Sequence, residues 1–325
     1  MRQGSREDMH ADTLVHELNQ RYKHEFDRAE RYQDELKSIQ GSRWWPLFQG
    51  LTRLTSNLKK CVKREETPAE PPIKPSDQLP FTAFSPRTDQ IYTADDVSII
   101  IPFRDQPELL ERCVLPLYRT VPRAELILVD NGSAEHRTHK FIETCLLNRN
   151  VRVIREDQPF NYSTLCNSGA TASTRSVLLF LNNDVMAMQP AWLEAMLEII
   201  GDQRVGIAGA TLLYPDRTIQ HAGMFPTGPQ GEWIHVHRHQ PDHYPGENHE
   251  LRRIRSVPAV TGACLMIPRF LFYSVGGFDP AYPITHNDVT LCERVRQTGK
   301  QVVITPFARL WHFESLSRGY QREVA

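Results

Sequence analysis

The 325-residue sequence has no excess of either charge, with 38 Lys and Arg against 39 Asp and Glu and a formal net charge of -1. Without a basic surplus, bulk electrostatics give no reason to expect a nucleic-acid partner. No uninterrupted apolar run reaches the roughly 18 residues that crossing a bilayer requires, so membrane association is expected to be peripheral at most. The six cysteines, at 61, 113, 145, 166, 264 and 292, include no C-x-x-C pair, and no secretory signal opens the chain. A reduced, cytoplasmic compartment is the simplest reading, with peripheral contact at the inner face of the cytoplasmic membrane left open. Glycine is missing where one class of enzyme needs it. The turn "PFRDQPELL" lacks the glycines that let a pyrophosphate approach a helix N-terminus, and no P-loop is present. Nicotinamide and flavin chemistry are therefore set aside.

What the chain does hold changes character along its length. Leu14, Leu18, Tyr22, Phe26, Ala29, Tyr32, Leu36 and Ile39 recur at steps of three or four, over a stretch free of Gly and Pro. That pattern predicts an amphipathic helix, serving either as a short coiled coil for a homo-oligomer or assembly partner, or as a helix packed on a domain. The following "SRWWPLFQGLTRLTSNLKKCVKR" sets aromatic and aliphatic residues among six basic and no acidic ones. Such a segment suits an anionic membrane surface or a protein partner. Residues 65–91 are rich in proline and read as a linker. The expected organisation is a helical region over 1–64, the linker, and a catalytic domain over 92–325.

That domain opens with "VSIIIPF", a helix from Pro107, "ELILVDNGS", a helix from His136, "VRVI", a helix after Tyr162 and "SVLLFL". Strands alternating with helices predict an α/β fold with a mostly parallel sheet and helices on both faces. Arg104 and Asp105, Asp130 and Asn131, and Asn183 and Asp184 follow three of these strands. In open α/β sheets the loops beyond the carboxyl ends of the strands face one crevice, so these groups are expected to converge there. Carboxylates beside carboxamides make a hard oxygen site, suited to Mg²⁺ or Mn²⁺ carrying a diphosphate.

The ordered segments "VSIIIPF", "LILVDNGS", "FNYSTLCNSGA", "LLFLNNDV", "TGACLMIPR", "GGFDPAY", "NDVTLCERVRQTGK" and "ARLWHFES" resemble those of family 2 glycosyltransferases. These are inverting enzymes of the GT-A fold, which is Rossmann-like in its nucleotide-binding half. The resemblance spans about Val97 to Tyr320 and is nearest to enzymes of bacterial O-antigen and surface polysaccharide synthesis, where rhamnosyltransferases are common. It implies a nucleotide diphosphate sugar as donor, a divalent cation, and a saccharide or lipid-linked saccharide as acceptor.

Residue by residue, the resemblance implies that Asp184 ligates the metal, with Asn182 or Asn183 adding a neutral oxygen or a sugar contact. The family's D-x-D motif here reads Asn182, Asn183, Asp184, one acid fewer. His312 corresponds to a histidine that completes the metal site, the alternative being a structural histidine. Asp130 matches the acid that receives the base or ribose, although Asp-Asn-Gly-Ser is also a good turn sequence. Pro102 and Phe103 would border the same base pocket. Asn167 matches a position near the nucleotide, or else caps a helix. Asp288 matches the catalytic base, the second acid of a family pair whose first acid is Asn287 here; alternatively it only offsets a helix dipole. Thr261, Gly262 and Ala263 would line the crevice floor.

The segment from His221 to His249 carries six histidines, without a cysteine among them. Its i, i+2, i+4 spacing fits an exposed strand or loop better than a closed zinc shell, and contacts to sugar or phosphate suit it better. The replacement of two family acids by Asn182 and Asn287 keeps alive a second reading, a non-catalytic sugar-nucleotide-binding or assembly module. The chain stops at "SRGYQREVA", soon after His312, where relatives usually continue, so either a truncation or a minimal acceptor side is expected.

Overall fold

A computed structural model of the protein describes residues 82–227 and 232–313. All of them belong to the unit that runs from Pro80 to Ala325. The predicted helical region over 1–64 and most of the linker lie outside the described residues.

The first half alternates as the sequence predicts. β1 (Thr82–Ala83) precedes β2 (Val97–Phe103), α1 (Pro107–Thr120), β3 (Glu125–Asp130), α2 (His136–Cys145), β4 (Val151–Arg155), α3 (Tyr162–Ala172) and β5 (Val177–Leu181). The second half holds β6 (Val185–Ala187), α4 (Trp192–Ile200), β7 (Val205–Leu213), β8 (Ile219–His221), β9 (Met224–Pro226) and β10 (Trp233–His235). β11 (Arg255–Ser256), β12 (Cys264–Pro268), α5 (Arg269–Ser274), α6 (Asn287–Gln297) and β13 (Gln301–His312) complete it.

Among the described residues one mixed sheet takes the order β1-β11-β13-β7-β12-β5-β2-β3-β4. β4, β3, β2 and β5 are mutually parallel, and every residue of β2, β3 and β5 is buried. Strands covered on both faces need apolar side chains on both, which is why "III" and "LILV" run continuously apolar instead of alternating. Of the seven strands with five residues or more, only β12 is reversed: it pairs antiparallel with both β5 and β7, while β13 runs parallel to β7. The sheet is thus mostly parallel. Helix α1 starts at Pro107, whose missing N–H costs nothing in a first turn, and buries Leu109, Leu110, Cys113, Val114 and Leu117.

The compact unit begins earlier than the linker reading puts it. Thr82 and Ala83 pair with Ser256 and Arg255, and Phe84 joins the core. The N–H groups of Asp89 and Gln90 donate to Gly201 O, and that of Arg87 to Asp202 Oδ2 at 2.8 Å. A two-residue strand amid prolines has no periodicity to read, so composition alone assigned these residues to the linker.

Candidate active site

Parallel pairing delivers the ends of β2, β3, β4 and β5 to one edge, and β12, being reversed, delivers its start there. Cys264 pairs with Leu181, so Thr261–Ala263 lie beside Asn182–Asp184. The Asn182 N–H donates to Ala263 O at 3.0 Å. β13 ends at the same place, because His312 pairs with Val185.

This pairing sets His312 Nε2 3.2 Å from Asp184 Oδ1, with both side chains buried. Buried Asn182 Oδ1 and His312 Nδ1 have no hydrogen-bond partner among the described residues. Unmet buried polar atoms are costly, and a bound cation or ligand would meet them. A carboxylate, an imidazole and a spare amide oxygen fit a divalent ion whose remaining positions a bound ligand would fill. No cluster of three or more His, Cys, Asp or Glu that could hold a metal ion occurs among the described residues. Asn183 is buried beside them.

Asp130 holds the turn weighed for it in the sequence and pairs with an arginine. Its Oδ1 accepts the Ser133 N–H at 2.8 Å across a turn in which Gly132 takes φ +73°, and its Oδ2 meets Arg155 at 3.1 Å. Phe103 pairs with Asp130 and accepts the Asn131 N–H, while Pro102 pairs with Val129. Asp105, expected in the crevice, instead turns its Oδ1 onto the N–H groups of Ala134 and Glu135 ahead of α2. Asn167 uses both ends of its carboxamide on one residue: Nδ2 donates to Phe278 O at 2.8 Å and Oδ1 accepts the Phe278 N–H at 3.0 Å. It pins the turn at Gly277, where φ is +67°.

Asp288 lies in the first turn of α6. Its Oδ2 accepts the Gly262 N–H at 2.9 Å and its Oδ1 that of Val289 at 2.8 Å. Gly262 O in turn accepts the Tyr162 hydroxyl at 2.8 Å. Burial, followed by Cys166 and then by the charges of Asp288 and Asp184, raises the Tyr162 pKa well above its usual value, so the hydroxyl stays a donor. Asn287 donates to the carbonyls of Ile284 at 3.2 Å and Tyr282 at 3.5 Å. A carboxylate could do neither, so this amide fits its surroundings.

Two residues of this edge have no role in the sequence analysis, and a third is placed differently there. Arg155 ends β4 one residue beyond the run "VRVI" and lies opposite Asp130, a register that no local sequence pattern shows. Tyr162 lies inside a quoted motif, but nothing local ties it to Gly262. His221 was read into an exposed strand or loop and is instead fully buried at 0% exposure, because β8 packs inward beside β7.

A sheet with the ends of its parallel strands at one edge, an acid at the end of β5 and a second acid opening α6 is the GT-A glycosyltransferase fold. The description "Glycosyl transferase family 2" matches residues 98–276, and the chain belongs to that family. It is 40% identical over 229 residues to protein y4gI of Sinorhizobium fredii, a match that takes in 69% of this chain and 25% of that protein. It is 37% identical over 226 residues to the O-antigen biosynthesis protein RfbC of Myxococcus xanthus, covering 68% of this chain and 18% of that one. The chain therefore spans a quarter or less of the length of these two relatives. To the N-acetylglucosaminyl-diphospho-decaprenol L-rhamnosyltransferase of Mycobacterium tuberculosis it is 26% identical, over 65% of this chain and 73% of the other. Among solved structures, GalNAc-T7 with UDP, GalNAc and Mn²⁺ superposes with a TM-score of 0.54 at 20% identity, over 66% of this chain and 43% of that one. At that identity it speaks for the fold alone.

Proposed function

We propose that the protein is an inverting glycosyltransferase that moves a sugar from a nucleotide diphosphate sugar to a saccharide or lipid-linked saccharide in bacterial surface polysaccharide synthesis. One observation carries this reading. The Asn182 N–H holds Ala263, and the neighbouring Gly262 N–H holds Asp288. Two backbone N–H groups thus link the segment that carries the acid suited to a cation with the acid suited to take a proton.

In this reading Asp184 and His312, with Asn182 and Asn183 beside them, hold Mn²⁺ or Mg²⁺. The cation supplies positive charge for a departing diphosphate. Asp130, Pro102 and Phe103 border the base and ribose, and Asn167 steadies the turn that leads to α6. Asp288 removes the proton of the acceptor hydroxyl as its oxygen attacks the anomeric carbon; the bond from that carbon to the diphosphate breaks, and the nucleoside diphosphate leaves. One base and in-line attack invert the configuration. The O-antigen and rhamnosyltransferase relatives support the polysaccharide setting, and the UDP and Mn²⁺ of GalNAc-T7 support donor and cation. The region over 1–64 is proposed to bind an assembly partner or a membrane surface.

The alternative, a non-catalytic module, takes its support from Asn182 and Asn287. Asn287 weakens as support, because its donated hydrogen bonds give it a structural place. A screen of nucleotide sugars by thermal shift, with and without Mn²⁺, tests the binding claim. NMR of the product's anomeric centre tests the mechanism: retained configuration rejects it, and donor binding without any transfer selects the alternative.

A further inference from the structure

The turn Thr261–Ala263 is held on more than one side by groups that none of the donor or metal roles uses. On one side the Tyr162 hydroxyl donates to Gly262 O at 2.8 Å. On another, the Thr261 N–H donates to His221 Nε2 at 3.3 Å, and His221 Nδ1 lies 3.0 Å from His235 Nδ1. An accepting Nε2 fixes the neutral tautomer of His221 with its proton on Nδ1, directed at His235. Burial, reinforced by His235, His312 and Arg255, holds the His221 pKa well below its usual value, in keeping with that tautomer. The Gly262 peptide between these grips presents its N–H to Asp288 at 2.9 Å.

Gly262 is suited to this position by its lack of a side chain. A Cβ there would lie 3.3 Å from the Tyr162 hydroxyl oxygen and 3.6 Å from Asp288 Cβ. Tyr162 is itself fixed by α3. Its N–H donates to Pro283 O, and its ring meets Phe278 edge-on at 5.9 Å. His221 is fixed by β8, where it pairs with Leu212 of β7. Neither side chain needs to touch a substrate to act.

We infer that Tyr162 and His221 are positioning residues, which hold the peptide units on either side of the Gly262 N–H and so set the direction of the Asp288 carboxylate. The inference rests on Asp288 as the base. The two grips fall on the peptide units either side of the one that carries the Gly262 N–H, so they act on that N–H through its orientation.

The full chain, labelled with ¹⁵N-glycine and free of ligand, gives a readout independent of donor identity. The Gly262 amide is assigned by its loss in Gly262→Ala. A hydrogen bond to a carboxylate moves an amide proton downfield, so Asp288→Asn is expected to move the Gly262 signal upfield. Tyr162→Phe and His221→Leu are expected to move it the same way. His221→Gln, which keeps an acceptor for Thr261, is expected to leave it near its original position. In the transfer assay, with the donor that gives the largest thermal shift, Tyr162→Phe is expected to lower kcat about tenfold with donor KM unchanged. It should add nothing further in an Asp288→Asn background. A Gly262 signal unmoved by Tyr162→Phe and His221→Leu overturns the inference, and so does a kcat loss that persists undiminished in the Asp288→Asn background. Full turnover of Asp288→Asn alongside a displaced amide rejects the base assignment instead. Tyr162→Phe keeps the buried ring, so the inference stays testable even if His221→Leu fails to fold.

Discussion

His312 and Asp184, far apart in sequence, meet at 3.2 Å because the antiparallel pairing of β13 with β6 puts His312 opposite Val185. The register of a three-residue strand therefore decides whether an imidazole stands beside the carboxylate proposed to ligate the metal.

Asp184→Ala is expected to abolish Mn²⁺-dependent donor binding, since Asn182 and Asn183 provide no second carboxylate to take over the cation. Calorimetric titration with UDP and with other nucleoside diphosphates, with and without Mn²⁺, reads this out. Equal affinity of variant and wild type in Mn²⁺ would remove Asp184 from the metal site.

Asp288→Asn preserves shape and accepts the Gly262 N–H, yet cannot take a proton. Its kcat is expected to fall by roughly two to four orders of magnitude. Donor KM should stay constant, because the loss belongs to the transition state. A parallel collapse of donor binding would make Asp288 a binding residue.

Asp130 separates into a turn role and a ligand role under two substitutions. Asp130→Asn retains an acceptor for the Ser133 N–H and loses the charge that faces Arg155. It is expected to keep most of the melting temperature while weakening free nucleotide; Asp130→Ala should lose both. Nucleotide affinity unchanged in both variants would leave Asp130 as a turn residue only.

Asn167→Ala strips two hydrogen bonds from Phe278 and should destabilise the fold by about 1–3 kcal/mol, seen as a lower denaturant midpoint. Donor affinity measured on the folded variant decides its second role. A drop there supports the nucleotide contact expected from the sequence, and no change leaves Asn167 as a clamp.

Asp202 gives a pH dependence with a defined sign. Hydrogen bonds from the Arg204 side chain, opposed by burial and joined by the N–H groups of Arg204 and Arg87, lower its pKa from 3.8 to about 2. The folded pKa lies below the unfolded one, so the stabilisation is complete above about pH 4 and disappears as pH falls toward 2. It is on the order of 2 kcal/mol. Urea midpoints of Asp202→Asn and wild type should differ at pH 6 and draw together near pH 2.5. A constant gap across that range would contradict the assignment.

The parallel half of the sheet was legible in the sequence because doubly covered parallel strands must be continuously apolar, and because polar residues end each run. Direction is another matter. Nothing in "CLMIP" says that β12 runs against its neighbours, so the convergence of Thr261–Ala263 on Asn182–Asp184 rests on pairing between distant segments. Arg155 was passed over because an apolar run seemed to end at Ile154. His221 was misplaced because a polar, histidine-rich segment looks exposed, and its burial depends on β7. Asp105 pointed to the crevice by position, but a local side chain can serve the backbone of the next helix instead.

The reversal of β12 also makes the fold editable. Between β7 and β12 the described residues contribute to the sheet only β8, paired with β7, and β11, paired with β1 and β13, while the pairings of β12 to β5 and β7 involve only Cys264–Pro268 on its own side. That stretch can be treated as a cassette. A chimera that exchanges it for the equivalent stretch of another family member, keeping His221 and the Thr82–Ala83 partners Arg255 and Ser256, would carry over a new outer surface while the parallel strands β2 to β5 keep their register.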